Sequence, residues 1–323
     1  MYFGSEHVWQ AETLRDMAVP QLGIEKMTEK KKAGLDSVGI MAVEASVPAP
    51  FVALPMDLSV RGRGTETHGD TLMRAMSGFG GPRPASVAAY RLLMVFSKAA
   101  MTGDVFEITL PDILETSGLS DIDNEEELDD ALAEALDILC TTGIVYETVD
   151  GEEVFFHGLL KQHLTHGAPP VTYTLSINAA LGLMKWGSKH SDPTFMLVNQ
   201  EAAASYTGAN RHMAVHLQLE IESTFGALCR SANEDQSAVG YKTHQLLYEA
   251  AVGLPVVDRP GGGLEMKLDI EQLKDALSML RDAGVIEDFD LEGDNVVVYM
   301  PAAYRTAYER LGTMAFKRIQ ALN

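Results

Sequence analysis

An α+β fold is predicted for this chain of 323 residues, because helical periodicity and short hairpin patterns are mixed along its length. The main observation is a pattern that occurs twice, in residues 135–156 and in residues 276–299. Each stretch holds an apolar helix face, a glycine, an apolar pair, an acidic tip and a second apolar run. Matching residues differ in number by 141, as in Leu132 and Leu273. A period this long indicates domain duplication rather than a solenoid, although any helix–glycine–hairpin unit would give a similar pattern.

Residues 1–85 show weak periodicity and are predicted to form an irregular, poorly structured N-terminal arm. Three prolines within residues 47–55 favour an extended backbone there. The stretch "RGRG", which contains Arg61 and Arg63, is typical of a flexible arm that could enter a DNA minor groove.

Residues 86–170 are predicted to form the first unit. A helix begins at Ser86, and "VFEITL" is a strand. A short helix then starts near Pro111, and a long helix is capped by Asn124. The next segment is a hairpin with Asp150–Gly151 at its tip. The order helix, strand, helix, helix, strand, turn, strand is that of the winged variant of the helix-turn-helix.

Residues 171–239 are predicted to be a connector of strands and helices, with a long helical segment interrupted near Gly208. Residues 240–323 are predicted to be a second winged-helix-like unit followed by a terminal helix. Its expected parts are a helix at 241–252, a strand at 264–269, a helix closed by Gly284 and a hairpin turning near Gly293. Only about fifteen residues separate the strand from the closing glycine, which is room for one helix. This unit is therefore predicted to be shortened, or to take a helix from elsewhere.

The net charge of −21 is concentrated in one part of the chain, since residues 86–160 hold 2 basic and 17 acidic side chains. Such a surface repels phosphate backbones and attracts basic partners, although solubility alone is an equally simple explanation. The long helix of the first unit has no basic residue, so we expect it to form a dimer or partner surface rather than to enter a DNA groove. The predicted partner-binding residues are Glu125, Glu126, Glu127, Asp129, Asp130 and Glu134.

The layout resembles that of the replication initiator (Rep) proteins of bacterial plasmids, over roughly residues 86–301. The stretch "VTYTLSINAALGLM" stands where that family has a strand and helix after its first hairpin, and Leu247–Tyr248 stands in the helix that opens its second unit. The resemblance implies that the first unit mediates homodimerisation and that the second grips repeated DNA sites. It also implies a role as a DNA-binding initiator or regulator of replication.

Basic side chains near the second unit and in the arm are the candidates for DNA contact, with an ordinary solvated surface as the alternative. Arginine and lysine reach base edges and phosphates. The candidate DNA-binding residues are Lys242, Lys267, Lys274, Arg281, Arg305, Arg310, Arg61 and Arg63.

The sequence gives no pattern for enzyme chemistry. It holds no phosphate-binding loop, no nucleophile elbow and no calcium loop. His163 and His166 could share a helix face, but their segment has no carboxylate to complete a metal site. His212 and His216 are four residues apart, but this pair lacks the Glu that a zinc protease needs after its first His. We therefore expect a non-enzymatic protein without a metal or cofactor.

Two widely separated cysteines, no signal peptide and no apolar run near 20 residues predict a cytoplasmic protein of a bacterium, plasmid or phage, with no membrane contact. Two functions stay open. The first is the DNA-binding initiator described above. The alternative is an acidic protein-interaction or assembly factor, such as a nucleic-acid mimic, that binds a basic protein and no DNA.

Overall fold

A computed structural model gives the structure of the protein. It describes residues 43, 45–55, 57–58, 70–71, 84–99, 105–119, 122–141, 143–147, 153–166, 171–177, 185–186, 195–230, 236–243, 246, 256–258, 264–266 and 270–322. Within these residues the elements are, in chain order, β1 (Phe51–Pro55), β2 (Asp57–Leu58), β3 (Asp70–Thr71), α1 (Pro84–Ala99), β4 (Val105–Thr109), α2 (Leu110–Ser117), α3 (Glu125–Thr141), β5 (Gly143–Glu147), β6 (Glu153–His157), β7 (Leu160–His166), β8 (Thr172–Ile177), β9 (Phe195–Asn199), α4 (Gln200–Ser205), α5 (Arg211–Arg230), β10 (Ala238–Lys242), β11 (Val256–Asp258), β12 (Leu264–Met266), α6 (Ile270–Asp282), β13 (Asp288–Glu292), β14 (Asn295–Tyr299) and α7 (Ala302–Leu322). The α+β class is confirmed, since helices combine with small antiparallel sheets.

The centre of the fold contains a strand from the region that the sequence analysis includes in the irregular arm. Strand β1 pairs antiparallel with β9. It packs against α1, while β9 packs against α5. Residues 51–54 are all at most 6% exposed, because "FVAL" is an apolar run without polar alternation, and such a run suits a strand buried on both faces. Arg61 and Arg63 lie outside the described residues.

The first group of helices has the local signals that the sequence predicts. Helix α2 begins with a capping box between Thr109 and Asp112 and ends at Gly118, whose φ is +71°. Helix α3 is capped by Asn124, whose Oδ1 accepts hydrogen bonds from the N–H groups of Glu126 (3.1 Å) and Glu127 (3.4 Å).

The predicted hairpin after α3 forms as β5 and β6, with Gly143 opposite His157. However, the strand that pairs with β4 is β8, and the sheet order is β4–β8–β7. A second hairpin, β7–β8, therefore completes the sheet, and β8 comes from the segment that the sequence analysis assigns to the connector. The chain passes from β6 to β7 through Gly158 (φ +77°), where a Cβ would lie 2.6 Å from the carbonyl oxygen of Leu160.

The C-terminal part follows the prediction from residue 264 onward. Helix α6 is followed by Gly284 in the left-handed region, and β13 and β14 form a hairpin with Gly293 (φ +59°) in the turn. The helix predicted at 241–252 begins later than expected, because Tyr241 and Lys242 belong to β10, which pairs with β14 in the order β10–β14–β13. Thr243 is the first helical residue after this strand.

Helix α5 is largely buried. Thirteen of its twenty residues are buried, because it packs against β9 and α1 as well as α6 and α7. Gly226 allows close approach to α7, since a Cβ there would lie 2.7 Å from the hydroxyl of Tyr308. That hydroxyl accepts a hydrogen bond from the N–H of Leu197 (2.7 Å). The segment predicted to connect two units thus supplies one of the core helices of the fold.

Candidate partner-binding surfaces

The outward face of α3 is acidic. Its inward face consists of Ala131, Leu132, Ala135, Leu136, Ile138 and Leu139, all buried, and the helix packs against α1. Of the predicted partner-binding residues, Glu134 is half-buried and the following five are exposed: Glu125, Glu126, Glu127, Asp129 and Asp130. Acidic side chains are stabilised near a helix N-terminus by the helix dipole. The structure thus brings the predicted residues together on one side of one helix.

The hairpin β13–β14 carries a second acidic row, which the sequence analysis did not predict. Asp288, Asp290 and Glu292 alternate with half-buried residues along β13 and are exposed, as is Asp294 in the turn. Because alternate residues of a strand point to the same face, these carboxylates share the outward face of the hairpin. The hydroxyl of Tyr299 on β14 donates to Asp290 Oδ2 across the strands (2.8 Å). The signal in the sequence was the alternation "EDFDLEGD".

Two of the candidate DNA-binding residues on α6 lie beside acidic partners. Lys274 Nζ is 3.9 Å from Glu271 Oε1, and Arg281 Nη2 is 3.2 Å from Asp282 Oδ1. The Arg281 guanidinium also lies over the ring of Phe289, 5.8 Å from its centroid. Exposed ion pairs contribute little to stability. In these two pairs, however, the carboxylate cancels the positive charge that would attract a DNA phosphate.

Other candidate DNA-binding residues contact neutral groups. Lys242 Nζ donates to Asn295 Oδ1 (2.6 Å), and Arg305 Nη2 donates to the carbonyl oxygen of Gln236 (2.8 Å). Lys242 ends β10, Gln236 lies just before that strand, and Arg310 is exposed farther along α7. These bonds leave the positive charges of Lys242 and Arg305 in place. Lys267 lies outside the described residues.

A buried polar cluster, also missed by the sequence analysis, joins α5 to β9 and α7. Glu222 is fully buried. Its Oε1 accepts hydrogen bonds from the hydroxyl of Tyr304 and from the N–H of Asn199 (2.8 Å). Its Oε2 accepts from Gln218 Nε2 (3.1 Å), and Gln218 Oε1 accepts from the hydroxyl of Tyr206 (2.8 Å). The available signal was polar residues at positions 218 and 222, one helical turn apart within an apolar helix.

Burial raises the pKa of Glu222 to about 8, against the lowering effects of the bonds from Tyr304, Asn199 and Gln218. The carboxyl is therefore sensitive to pH near neutrality. It is sealed inside the fold by α5, β9 and α7, so it serves packing rather than contact with a partner.

One of the two histidine pairs lies on a strand and the other on helix α5. His163 and His166 lie on strand β7, so the helical spacing considered in the sequence does not apply, and His163 Nε2 is 2.8 Å from Ser176 Oγ. His216 on α5 is fully buried, and its ring packs edge-on against Tyr90 with centroids 5.6 Å apart. Within the described ranges no group of three His, Cys, Asp or Glu residues could hold a metal ion.

The comparisons with known proteins give no relative: no protein-family model, no curated protein and no solved structure matches this chain. Of the helices in the described part of the chain, none has the length and apolar character needed to cross a membrane.

Proposed function

We propose that the chain is a non-enzymatic protein of two winged-helix-like units whose acidic surfaces bind a basic protein partner. In the first unit, helix α1 and strand β4 precede α2 and α3, and β4 pairs with the last strand of the hairpin β7–β8. In the second unit, α5 and β10 precede a helical segment at Thr243 and helix α6, and β10 pairs with the last strand of β13–β14. The same strand order in both units, β4–β8–β7 and β10–β14–β13, supports the duplication.

In this interpretation the second unit is not shortened. Helix α5, which sequence analysis places in the connector, supplies its first helix, and β10 supplies its first strand. The hairpins β5–β6 and β11–β12 are additions to the two units. The residues that match at an offset of 141 also agree in burial, since Ala135 and Ala276 are buried, as are Leu139 and Leu280.

The observation that carries the proposal is the acidic outward face of α3. In a winged helix-turn-helix, the second helix of that motif lies in the major groove and presents donors to base edges and phosphates. In the proposed unit helix α3 takes this position, and it carries six exposed carboxylates and no basic residue along its length. Phosphates and carboxylates repel each other, whereas lysine and arginine side chains of a protein partner would be attracted.

The test uses two probes with anisotropy readout: a fluorescent lysine- and arginine-rich peptide, and a mixed-sequence DNA duplex, each at about 50 mM and about 200 mM salt. One variant neutralises α3 by Glu126→Gln, Asp129→Asn and Asp130→Asn. A matched control neutralises three exposed acids elsewhere, by Glu115→Gln, Glu201→Gln and Glu309→Gln. Both variants change the net charge by the same amount.

We expect saturable peptide binding that weakens at least tenfold in the α3 variant and less than twofold in the control. DNA should not bind at either salt concentration. Equal losses in the two variants would mean that net charge alone attracts the peptide, and the proposal would fail.

A second candidate function, DNA binding by the second unit, is favoured by the neutral contacts of Lys242 and Arg305. These cations lie near opposite ends of β10, unlike Lys274 and Arg281, which are paired with acids. If DNA binds, the double variant Lys242→Glu, Arg305→Glu should lose it. The variant Lys274→Glu, Arg281→Glu should retain most of it.

Cytoplasmic location and the absence of catalysis are part of the same proposal. Cys140 and Cys229 are both free thiols, as in proteins of reducing compartments. Burial raises the pKa of Cys140 to about 11, which keeps this thiol protonated and unreactive.

A further inference from the structure

Strand β10 forms one edge of the sheet β10–β14–β13, and among the described residues no strand pairs with its outer side. Its register with β14 is continuous, and the carbonyl oxygen of Ser237, just before the strand, accepts a hydrogen bond from the N–H of Met300 (2.7 Å). In an antiparallel pair, hydrogen-bonded and non-hydrogen-bonded residues alternate along each strand. The N–H and C=O groups that point away from β14, to the edge of the sheet, are therefore those of Ala238, Gly240 and Lys242.

This edge has the properties of one that accepts another strand. It contains no proline, no acidic residue and no bulge, and these are among the features by which proteins protect exposed strand edges. Gly240 at its centre is exposed, and a Cβ there would meet no atom within 4 Å. The carbonyl oxygen of Ala238 accepts from Nε2 of the exposed Gln236 (3.1 Å), a side chain that an incoming strand would displace.

The two ends of β10 are cationic, which favours an acidic occupant. Lys242 at the C-terminal end is exposed, and its Nζ donates to the neutral Asn295. At the other end, Arg305 Nη2 donates to the carbonyl oxygen of Gln236, which is also a neutral group. Antiparallel pairing with the β10 of a second copy would bring Lys242 of one copy toward Arg305 of the other, and like charges repel. The strand that fits this edge therefore carries acidic side chains at both ends.

The other edge of the same sheet, β13, has the required charges. Three exposed acids alternate along it, namely Asp288, Asp290 and Glu292. Through β14 they align with the three outward-pointing residues of β10, so both sets lie on the same face of the sheet. Because β10 and β13 are both antiparallel to β14, they run parallel to each other. A second copy in the same orientation therefore lays its β13 parallel to β10, with Glu292 beside Lys242 and Asp290 beside the open Gly240. Asp288 then lies at the end of β10 that is near Arg305.

The backbone groups match in this arrangement as well. By the same alternation, Val297 of β14 faces β13. Asp290, the partner of Val297, therefore directs its backbone groups to β14, and the groups at the outer edge of β13 belong to Phe289 and Leu291. In a parallel pair, a residue bonds to the two residues that flank its neighbour. Gly240 meets this condition, because its outward N–H and C=O would bond to Phe289 and Leu291 on either side of Asp290.

We propose that copies of this chain associate head to tail, with β10 of one copy paired in parallel to β13 of the next. The contact joins two different edges of one sheet, so it does not close a two-fold dimer, and further copies can add at the open edges. The inference goes beyond the proposed function, because it assigns a second copy of the chain to a surface other than α3.

The first experiment measures sedimentation of the full chain from about 1 µM to about 1 mM. The salt concentration is about 150 mM, where charges more than about 8 Å apart are largely screened, so that the net charge of −21 opposes association less. The test variant is Gly240→Pro, which removes an outward N–H and is suited to an edge strand. The matched control, Gly240→Ala, keeps that N–H, and the space around residue 240 admits the added Cβ in both variants. Urea unfolding verifies that both are folded.

A charge swap tests the pair of side chains. Lys242→Glu and Glu292→Lys each place like charges in the contact between identical copies. The double variant and an equimolar mixture of the two single variants restore opposite charges. Both side chains are exposed, so these variants decide the question even if Gly240→Pro does not fold.

Wild type and Gly240→Ala should increase in average mass with concentration, beyond the mass of a dimer. Gly240→Pro and each single charge variant should associate at least about tenfold more weakly, and the double variant and the mixture should recover association. Three results would overturn the proposal: a wild type that stays monomeric throughout, association that Gly240→Pro leaves unchanged, or a mixture that associates as weakly as the single variants. None of them depends on whether α3 binds a partner, so this inference and the proposed function can fail separately.

Discussion

Replacing Glu222 by glutamine should remove much of the pH dependence of stability between pH 6.5 and pH 8. The carboxyl is fully buried, and burial raises its pKa from 4.5 to about 8. Between these two values the folded chain holds a proton that the unfolded chain has lost. The free energy of unfolding therefore decreases as pH rises, by at most about 1.4 kcal/mol per pH unit. The stabilisation is complete below pH 4.5 and is lost as pH rises through 8.

The window from pH 6.5 to 8 isolates this group from the buried histidine. Burial lowers the pKa of His216 to about 4, so its opposite effect, a loss of stability on acidification, is confined to pH values below about 6.5. Because the slope flattens near the folded pKa, the expected loss for wild type across the window is about 1.5 kcal/mol. Other groups that titrate in this window would act equally on wild type and variant.

In the Glu222→Gln variant, the side-chain oxygen still accepts from Tyr304 and Asn199, whereas its new amide faces the amide of Gln218. The variant should therefore be less stable than wild type at pH 6.5 by about 1–3 kcal/mol, the cost of an unsatisfied buried donor. Its stability should change by less than about 0.5 kcal/mol up to pH 8, because glutamine does not titrate. Urea unfolding at pH 6.5, 7.2 and 8 measures both quantities, with the exposed Glu287→Gln as control. Equal slopes for wild type and Glu222→Gln would refute the assignment of the proton to Glu222.

Three further predictions concern packing and caps, each measured by urea unfolding. Gly226→Ala should cost about 1–3 kcal/mol, because its Cβ would press on Tyr308. The matched Gly312→Ala, with open space around it, should be neutral or stabilising by up to about 1 kcal/mol. Asn124→Ala should cost about 1 kcal/mol through the lost cap of α3. Gly158→Ala should lower the free energy of unfolding by more than Asn124→Ala does. Residue 158 has a positive φ, and the added Cβ would also lie too close to a backbone carbonyl oxygen. A smaller loss would mean that the chain between β6 and β7 can rearrange.

Local signals in the sequence were sufficient to predict the helix ends and turns that depend on residues close together along the chain. The cap at Asn124, the turn at Gly293 and the ends of α2 and α6 all follow from side-chain hydrogen bonds or glycine backbone freedom. These determinants can be read from the sequence, because they involve neighbours along the chain.

Strand pairing could not be predicted in the same way. The repeat matched the hairpin β5–β6 with β13–β14, because both follow a helix and a glycine directly. In the structure, however, β4 pairs with the hairpin β7–β8 and not with β5–β6. The hairpin β7–β8 begins about twenty residues after α3 ends. The choice depends on contacts between segments more than sixty residues apart, for which a single sequence gives no signal.

Two segments that the sequence analysis placed outside the core, β1 and α5, are buried on nearly all sides. "FVAL" in β1 and the long helix α5 lack a clear polar face, so neither shows the amphipathic periodicity that marks a half-buried element. The sequence analysis therefore placed one in an arm and the other in a connector, although both lie in the core.

The same distinction between local and tertiary determinants decides which features of the candidate surfaces could be predicted from the sequence. The acidic face of α3 was predictable, because it depends only on helical geometry and composition. The pairing of Lys274 and Arg281 with acids was partly visible from spacing. By contrast, the cluster at Glu222 depends on groups from α5, β9 and α7, which only the tertiary fold brings together.

The duplication that we propose provides an internal comparison that bears on the meaning of the acidic surface. In that proposal helices α3 and α6 are equivalent, and both bury an apolar face rich in leucine and alanine. The outward face of α6 mixes Lys274 and Arg281 with acids, as expected for a surface that only needs to be soluble. The charged residues on the outward face of α3 are all acidic. If solubility were the sole requirement, the two equivalent helices should be equally mixed, so the difference favours a specific role for α3 in binding a basic partner.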